Sequence, residues 1–441
     1  MENIIIVGAG LVGSLLSVYL ARAGFKVSVY ERNPDPRTVN LQSDRSINIT
    51  LCERGLQSLS AVGASEAVLE FCIPVYGRVI HDCHGESTYQ PYGNNQEALY
   101  SIERKDLNLV LLNFAEGHEN IDFYFNHKCI DIHLPTAKLK LQNLKTGETN
   151  QIQADRILAT DGAHSAVRQK MQRLKRFNYS QEYCDQGYKE IIIPADARSS
   201  WPLEKNAIHI WPRDSFMLIG FPNIDKSFTL SLHLPYEGKI SHESITSLDA
   251  LQNLFEAHFP DLLPLVESNL VDYFRNPVEA MITTKCFPWT YQDKVALLGD
   301  SCHAIFPSLG QGANAGFEDC RIFAECIEKH SGDWQEIFNE YERLQKSNMD
   351  VLADLCFEHF TILRKMLGDP QFQQRKKIER KLQELAPEFA SLYYNISFTC
   401  MPYAEALSIE QTYQTLINKI VELDDLEEQL ENKDLVSLVR M

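Results

Sequence analysis

The chain has 441 residues and is 44% hydrophobic and 23% charged, a globular composition that excludes a disordered or collagen-like protein. Its 42 basic and 60 acidic side chains give a net charge of −18, so its surface should repel nucleic-acid phosphates and anionic lipid. This length predicts two or three domains. The 11 cysteines are scattered and contain no C-x-x-C pair, which indicates reduced cytosolic thiols and no zinc site.

The N-terminus carries the first motif. Asn3–Val7 is predicted as a strand, Leu15–Ala23 as a helix and Lys26–Tyr30 as a second strand. Between the first strand and the helix lies Gly8-x-Gly10-x-x-Gly13. A glycine pattern in this strand–turn–helix setting is the fingerprint of a dinucleotide site.

Each residue of the fingerprint has a physical reason. Gly8 permits the tight turn, and Gly10 lets the backbone approach a pyrophosphate at the helix N-terminus. Gly13 allows the helix to pack closely on the strand, and Glu31 can accept hydrogen bonds from a ribose diol. The pattern does not by itself distinguish NAD from FAD.

The middle of the chain is predicted to be rich in strands, and its end to be helical. Short runs of β-pattern begin with a loop entering a strand at Arg45–Thr50 and continue through Ile121–Asn126, Leu139–Gln142, Arg156–Thr160, Lys189–Ile193, Ala207–Trp211, Phe216–Phe221, Ser227–Leu234 and Lys294–Leu298. Helical spacing is found over Asp106–Ala115, Ile322–Leu344, Asp350–Met366, Gln373–Leu385 and Ile409–Val421.

Two further motifs follow predicted strands. Asp161-Gly162 comes after one strand and is followed by Arg168, and Gly299-Asp300 comes after another. Asp300 can hold a ribityl hydroxyl. The amides from Gly310 to Asn314 can point a helix N-terminus at the pyrimidine edge of a flavin, where negative charge gathers on reduction.

These three motifs, in this order over residues 4 to about 320, resemble the FAD-dependent aromatic hydroxylases, the single-component flavoprotein monooxygenases. The resemblance implies an α/β fold with a Rossmann-type FAD-binding domain interleaved with a mixed-sheet substrate domain, plus a C-terminal helical region. The expected boundaries are 1–70, 98–178 and 287–325 for the FAD-binding domain, 71–97 and 179–286 for the substrate domain, and 326–441 for the helical region.

The resemblance also implies cofactors and their ligands. FAD is the bound cofactor and NADPH a transient co-substrate. Reduced flavin takes up O2 as a C4a-hydroperoxide that hydroxylates an electron-rich ring, with no catalytic protein nucleophile and no metal. The implied FAD-binding residues are Gly8, Gly10, Val12, Gly13, Glu31, Arg32, Thr50, Arg104, Cys129, Asp161, Asp300, Gly312, Ala313 and Asn314.

Some segments resemble, more narrowly, family members that hydroxylate an amino acid carrying an aniline ring. These are Arg45-Ser-Ile-Asn48, Arg78-Val-Ile-His81, Pro91-Tyr-Gly93 and Tyr403-Ala-Glu-Ala406. The resemblance implies that Arg78 and Tyr92 hold the carboxylate of the substrate and that Tyr393 is a third contact. A guanidinium group suits this role because it binds a carboxylate through two parallel hydrogen bonds.

The sequence departs from that pattern at four pocket positions. His359 stands where the family has Asn, Leu363 where it has Met, and Ser308 and His233 where it has Phe, so the pocket is expected to be more polar. Three interpretations stay open: a rearranged pocket for the same substrate, a related aromatic substrate, or a flavin-binding protein without hydroxylase activity. Arg78 and Tyr92 argue against the third.

The expected partners are a small aromatic amino-acid substrate and O2, with no nucleic acid and no membrane, in a monomer or homodimer. Eukaryotic members of the family carry a C-terminal membrane anchor. Residues 423–440 are acidic and amphipathic, so we expect no anchor here and a cytoplasmic protein of bacterial type.

Overall fold

The computed structural model describes residues 2–38, 47–93, 97–195, 201–363, 374–375, 377–379, 381 and 390–421. The predictions for Arg45, for most of Gln373–Leu385 and for 423–440 lie outside these residues. The chain divides into two compact units. The first unit is Met1–Ile73, Tyr100–Cys184 and Ala280–Cys356, and the second is Pro74–Leu99, Asp185–Glu279 and Phe357–Met441.

The strands are β1 (Asn3–Val7), β2 (Lys26–Tyr30), β3 (Asn48–Leu51), β4 (Ile73–Val75), β5 (Gly77–His81), β6 (Ser87–Pro91), β7 (Leu99–Glu103), β8 (Ile121–Tyr124), β9 (His127–His133), β10 (Lys138–Asn143), β11 (Thr149–Gln153), β12 (Arg156–Ala159), β13 (Asn178–Ile193), β14 (Ala207–Arg213), β15 (Phe216–Pro222), β16 (Phe228–Pro235), β17 (Glu279–Phe287), β18 (Thr290–Tyr291) and β19 (Val295–Leu297).

The helices are α1 (Leu11–Arg22), α2 (Glu53–Ala61), α3 (Ser65–Leu69), α4 (Arg104–Glu116), α5 (Ala166–Met171), α6 (Leu248–His258), α7 (Leu263–Val266), α8 (Asp272–Arg275), α9 (Asp300–His303), α10 (Gly312–His330), α11 (Trp334–Thr361), α12 (Leu392–Phe398) and α13 (Tyr403–Val421). None of them, within the residues described, is apolar over a length sufficient to cross a bilayer.

The first unit is built on a six-stranded sheet with the order β18-β19-β12-β1-β2-β8. All neighbouring pairs are parallel except β18 and β19. Strand β1 lies inside this sheet, and its isoleucines Ile4, Ile5 and Ile6 are buried on both faces. A continuous β-branched run is typical of such a strand. The predicted fold class, a Rossmann-type α/β domain, is confirmed.

Helix α1 begins earlier than its apolar periodicity predicts. The predicted start was Leu15, whereas the helix begins at Leu11 with the extended residue Gly10 as its N-cap. Gly13 and Ser14 in its first turns are buried although neither is a large apolar residue. The periodicity failed there because close backbone packing, not side-chain hydrophobicity, buries the start of the helix.

The second unit contains most of a seven-stranded sheet with the order β17-β13-β16-β15-β14-β5-β6. Strand β14 runs parallel to β5, whereas it is antiparallel to β15. One face of this sheet carries Trp211, Leu230 and Leu232, which join a buried cluster with Phe255 and Phe259. The alternating pattern correctly predicted β14, β15, β16 and the end of β13, but it did not predict β5, β6 or β17.

Three helices in the middle of the chain were not predicted, and one predicted helix was wrong. The middle of the chain holds α6, α7 and α8, which the strand-rich interpretation missed. Ser247 caps α6 by accepting a hydrogen bond from the Ala250 amide, and the buried Leu251, Leu254 and Phe255 recur at helical spacing, so the sequence did carry a signal for this helix. Helices α7 and α8 have only four residues each. The run Ile322–Leu344 is not one helix, because Ser331 (φ 47°) and Gly332 (φ 96°) adopt left-handed conformations that end α10.

The core of the second unit makes a testable prediction. Phe255 is fully buried, so Phe255→Ala should lower the free energy of unfolding by about 3–5 kcal/mol, measured by urea denaturation. The control is Phe274→Ala, because Phe274 is 40% exposed and should tolerate the change. Equal midpoints for the two variants would contradict the assignment of this core.

Candidate active site

The glycine-rich turn at the end of β1 has no room for side chains. Gly8 has φ +104°, and a Cβ atom on it would lie 2.7 Å from the carbonyl oxygen of Thr160. A Cβ atom on Gly13 would lie 1.9 Å from the carbonyl oxygen of Gly8. Both distances are below van der Waals contact, so α1 can begin beside the carboxyl end of β1 only with glycine at these positions.

Thr160 holds this turn in place, a role that the sequence reasoning missed. Its hydroxyl lies 3.1 Å from the carbonyl oxygen of Val7 and 2.9 Å from that of Gly8. The residue is buried at the end of β12, beside β1 in the sheet. Its position directly before Asp161-Gly162 was the available signal.

Glu31, at the end of β2, is tied to the same turn. One carboxylate oxygen accepts a hydrogen bond from the Ala9 amide (2.9 Å), and the other accepts one from the Asn33 amide (2.8 Å). The carboxylate is half-buried. Its oxygens have remaining lone pairs, as hydrogen bonding to a ribose diol requires.

Asp161 follows β12. Its Oδ2 accepts hydrogen bonds from the amides of Ala166 (2.7 Å) and Val167 (3.4 Å) at the start of α5. Its Oδ1 is buried and has no hydrogen-bond partner among the described residues. Burial raises the pKa of this carboxyl despite those amide hydrogen bonds. An orphaned oxygen of this kind is suited to accept a hydrogen bond from a bound polar group.

Asp300 is exposed at the start of α9, on a turn that a buried network supports. Asp319 accepts hydrogen bonds from the Gly299 amide (2.8 Å), from His303 Nε2 (2.6 Å) and from Gln345 Nε2 (2.9 Å). Burial would lower the pKa of His303, but the Asp319 carboxylate raises it above its ordinary value. The sequence reasoning assigned no role to Asp319 or Gln345.

The start of α10 is joined to β3 through Asn314. The side-chain amide nitrogen of Asn314 donates to the carbonyl oxygens of Thr50 (2.8 Å) and Gly310 (2.8 Å). Its amide oxygen accepts from the backbone of Cys52 (3.0 Å). Gly310 has φ +64°, a left-handed conformation that redirects the chain just before α10 begins. Gly312 and Ala313 lie in the first turn of this helix.

The other predicted FAD-binding residues differ in their surroundings. Val12 lies against Gly316, where an added Cβ would approach its methyl group to 2.5 Å. Cys129 is buried on β9, and burial raises the pKa of its thiol to about 12, which makes it unreactive. Arg32 and Arg104 are exposed, and no contact in the described part of the chain joins them to the glycine-rich turn.

These groups fit a dinucleotide. A Cβ atom on Gly10 would meet no atom within 4 Å, so the backbone at the N-terminus of α1 is open to a ligand. No side chain caps that N-terminus. Its amides therefore suit a pyrophosphate, and Glu31 and the orphaned oxygen of Asp161 suit the hydroxyl groups of FAD.

In the second unit a cationic and aromatic cluster surrounds Arg78 on β5. The guanidinium carbon lies 5.1 Å from the ring centre of Tyr393 and 5.7 Å from that of Tyr92. The two tyrosine rings are 5.8 Å apart, and the ring of His359 stacks on Tyr393 at 5.9 Å. In the residues described, the guanidinium forms no ion pair or hydrogen bond with a protein group. The structure therefore brings together all four residues predicted to bind the substrate.

The other three pocket positions at which the sequence differs from the family's pattern lie in different surroundings. His233 on β16 is buried against Tyr188 (ring centres 5.3 Å apart), its Nδ1 has no partner among the described residues, and burial lowers its pKa to about 3. Ser308 donates a hydrogen bond to the carbonyl oxygen of Cys356 (2.5 Å) in the first unit. Leu363 is buried.

Comparison with known proteins agrees with this geometry. The family model described as an FAD binding domain matches residues 1–335. Kynurenine 3-monooxygenase of Flavobacterium johnsoniae is 43% identical over 439 residues, covering 98% of each chain. The enzyme of the same name from Dictyostelium discoideum is 38% identical, covering 99% of this chain and 96% of its own.

Among solved structures, 2-methyl-3-hydroxypyridine-5-carboxylic acid oxygenase is similar with a TM-score of 0.68 at 22% identity, covering 84% of this chain and 94% of its own. That similarity concerns the fold alone. The chain belongs to the FAD-binding-domain family, and it is an FAD-dependent aromatic monooxygenase. Within this class it belongs to the kynurenine 3-monooxygenase family.

The glycine-rich turn generates a paired prediction. Gly10→Ala should leave the fold intact but weaken FAD binding roughly tenfold or more, because its Cβ obstructs only the ligand. Gly13→Ala should destabilise the protein even without FAD, because its Cβ collides with the backbone. The measurements are the FAD dissociation constant from flavin fluorescence and the melting temperature of the apoprotein. Unimpaired FAD binding by Gly10→Ala would contradict this assignment.

Proposed function

We propose that the protein hydroxylates L-kynurenine to 3-hydroxykynurenine, using NADPH and O2. The observation that carries this proposal is the Arg78 guanidinium between the rings of Tyr92 and Tyr393, with no carboxylate partner among the described residues. A half-buried cation in this setting is suited to the carboxylate of an amino acid. Relatives named kynurenine 3-monooxygenase at up to 43% identity support this choice of amino acid.

The side chains of the second unit divide the work of binding. Arg78 would form two parallel hydrogen bonds to the carboxylate, which fixes one end of the substrate. Burial raises the pKa of Tyr92 well above its ordinary value, so its hydroxyl stays protonated and can donate. Tyr393, held between Arg78 and His359, is proposed as the third contact.

FAD, when bound, supplies the redox chemistry that activates O2 with electrons from NADPH. In the first unit, the α1 N-terminus and Glu31 would hold its adenosine diphosphate half. Asp300 and the start of α10 would hold its flavin half. The protein's own contribution is to bind, to orient and to exclude water, so the proposal requires no protein nucleophile.

A related aromatic amino acid is the second candidate substrate. His233 favours it, because a buried imidazole nitrogen without a partner suits a polar group on a ring. A pocket lined by Phe at this position would not offer such a contact. Kynurenine also carries polar groups on its ring, so only a comparison of substrates separates the two candidates.

The cellular setting is proposed on chemical grounds. All eleven cysteines lie in the described residues and none forms a disulfide, which supports a reducing, cytoplasmic compartment. A monomer or homodimer stays the expected assembly, and the partition between an FAD-binding domain, a substrate domain and a helical region stays a prediction.

The test of the function is an assay of the holoprotein with NADPH, air and L-kynurenine, with products identified by mass spectrometry. The proposal expects a gain of one oxygen atom and a product that co-elutes with 3-hydroxykynurenine. NADPH consumption that yields only hydrogen peroxide with kynurenine, together with hydroxylation of a related amino acid, would support the second candidate and overturn the first.

The carboxylate assignment makes its own prediction. Arg78→Ala should raise the dissociation constant for kynurenine roughly tenfold to hundredfold, because a charge-assisted pair of hydrogen bonds is lost, while FAD stays bound. Arg78→Lys should recover only part of the affinity, because an ammonium group lacks the planar fork. Substrate-induced changes in the flavin absorbance spectrum give both constants.

The matched control is Arg275→Ala in the same unit, because the Arg275 side chain is 71% exposed. It should bind kynurenine as the parent does. The decarboxylated analogue of kynurenine should bind the parent as weakly as kynurenine binds Arg78→Ala. If the parent does not distinguish kynurenine from this analogue, Arg78 does not bind the carboxylate.

A further inference from the structure

The register of the seven-stranded sheet shows which side chains share a face with Arg78. Arg78 and Ile80 are half-buried on β5 and alternate with buried residues that point to the other face. Ile80 is aligned with Ile210 on β14, and Ile210 is aligned with Ile219 on β15. Ile219 is in turn aligned with Ser231 on β16. This face therefore carries a cation on β5, an apolar floor across β14 and β15, and polar side chains on β16.

Two of the polar side chains on β16 have buried atoms that lack a hydrogen-bond partner in the described part of the chain. These atoms are Ser231 Oγ and His233 Nδ1. Ser231 is fully buried, and His233 is 3% exposed. The residues are two positions apart on one strand, so both point to the face that carries Arg78. Buried polar atoms are normally hydrogen-bonded, so two adjacent orphans indicate a partner that the protein itself does not supply.

The end of α11 borders both ends of this face within the second unit. The ring of His359 stacks on that of Tyr393, which contacts the Arg78 guanidinium. The next residue, Phe360, has its ring centre 6.3 Å from that of His233. Consecutive residues of one helix therefore contact the cluster around Arg78 and the orphaned imidazole. A ligand that is held by Arg78 and lies on the apolar floor extends towards His233.

The charge of His233 determines which ligand group it suits. Burial lowers the pKa of this imidazole to about 3, so the ring is neutral at physiological pH. A neutral imidazole has one nitrogen that donates and one that accepts. With the hydrogen on Nε2, Nδ1 accepts a hydrogen bond from an N–H group. An amino group on the aromatic ring of the substrate is such a donor.

Ser231 lies between Arg78 and His233 along the strand direction. It is level with Ile80, which is two residues beyond Arg78, and His233 is two residues further on. A hydroxyl group can donate to a carbonyl oxygen. In kynurenine a ketone lies between the amino-acid end and the ring, and the ring amino group is ortho to that ketone. The order of these groups matches the order of the side chains.

We propose that His233 selects substrates with an amino group on the ring, by accepting a hydrogen bond from that group at Nδ1, and that the Ser231 hydroxyl donates to the ketone oxygen. The inference rests on the proposed function, because it places the carboxylate of the same substrate at Arg78. It assigns the substrate class as amino acids that carry a 2-aminophenyl ketone. Both residues act by binding the substrate, and neither transfers a proton or an electron.

The test compares two ligands in two proteins. L-Kynurenine and L-3-benzoylalanine differ only in the ring amino group, which the second lacks. Flavin absorbance of the oxidised holoprotein, without NADPH, gives the dissociation constants. The preference for kynurenine should be roughly three- to tenfold greater in the parent than in His233→Phe, the effect of one hydrogen bond. Both proteins meet the same two ligands, so differences in ligand solvation cancel.

Two further variants separate recognition from a structural role. His233→Asn should recover part of the preference, because its side-chain oxygen can accept a hydrogen bond close to the position of Nδ1. Ser231→Ala should weaken the binding of both ligands by the same factor, because both carry the ketone. A purely structural role for His233 would likewise change both affinities by one factor and leave the preference unchanged, which would overturn the inference.

The matched control is His84→Phe, because His84 is exposed on the turn between β5 and β6. It should keep the preference of the parent. If the parent hydroxylates kynurenine but His233→Phe shows the same preference, the inference alone is wrong. If the parent neither binds nor hydroxylates kynurenine, the proposed function itself fails. Melting temperatures show that each variant compared is folded.

Discussion

The cofactor site depends on one steric constraint, the contact between the start of α1 and the turn after β1. A Cβ on Gly13 would lie 1.9 Å from the Gly8 carbonyl oxygen, and one on Gly8 would lie 2.7 Å from the Thr160 carbonyl oxygen. Such spacing lets the helix N-terminus face the carboxyl ends of β1 and β12. Because parallel strands end at one edge of the sheet, Glu31 and Asp161 reach the same edge.

The second unit holds a cation, Arg78, for which the described residues provide no counter-ion. Aromatic rings attract the Arg78 guanidinium weakly and leave its hydrogen-bond donors available. A protein carboxylate in that position would compete with the substrate carboxylate that we propose Arg78 to bind. The same unit satisfies another cation, the Arg213 guanidinium, with the carbonyl oxygens of His81, Asp82 and His258. Hydrogen bonds to protein groups therefore distinguish Arg213 from Arg78, whose donors stay available.

The motifs that belong to one short stretch of chain were predictable from the sequence. The strand Asn3–Val7 and the glycines Gly8 and Gly13 are local signals, because a β-branched run and a tight turn depend on near neighbours. The FAD-binding fold and the aromatic-hydroxylase class followed from three such motifs in order. Helices α7 and α8 were not predicted, because four residues are too few for a helical periodicity to stand out.

The sequence by itself determined the class of cofactor, since backbone conformations that only glycine tolerates are encoded residue by residue. Tertiary structure alone decided which distant side chains meet. Arg78 joins Tyr393, Asp319 supports Gly299, and His81 meets His209 and Asp261 only after the chain has folded. Those contacts depend on strand order and register, which follow from the packing of the whole sheet and not from any local pattern.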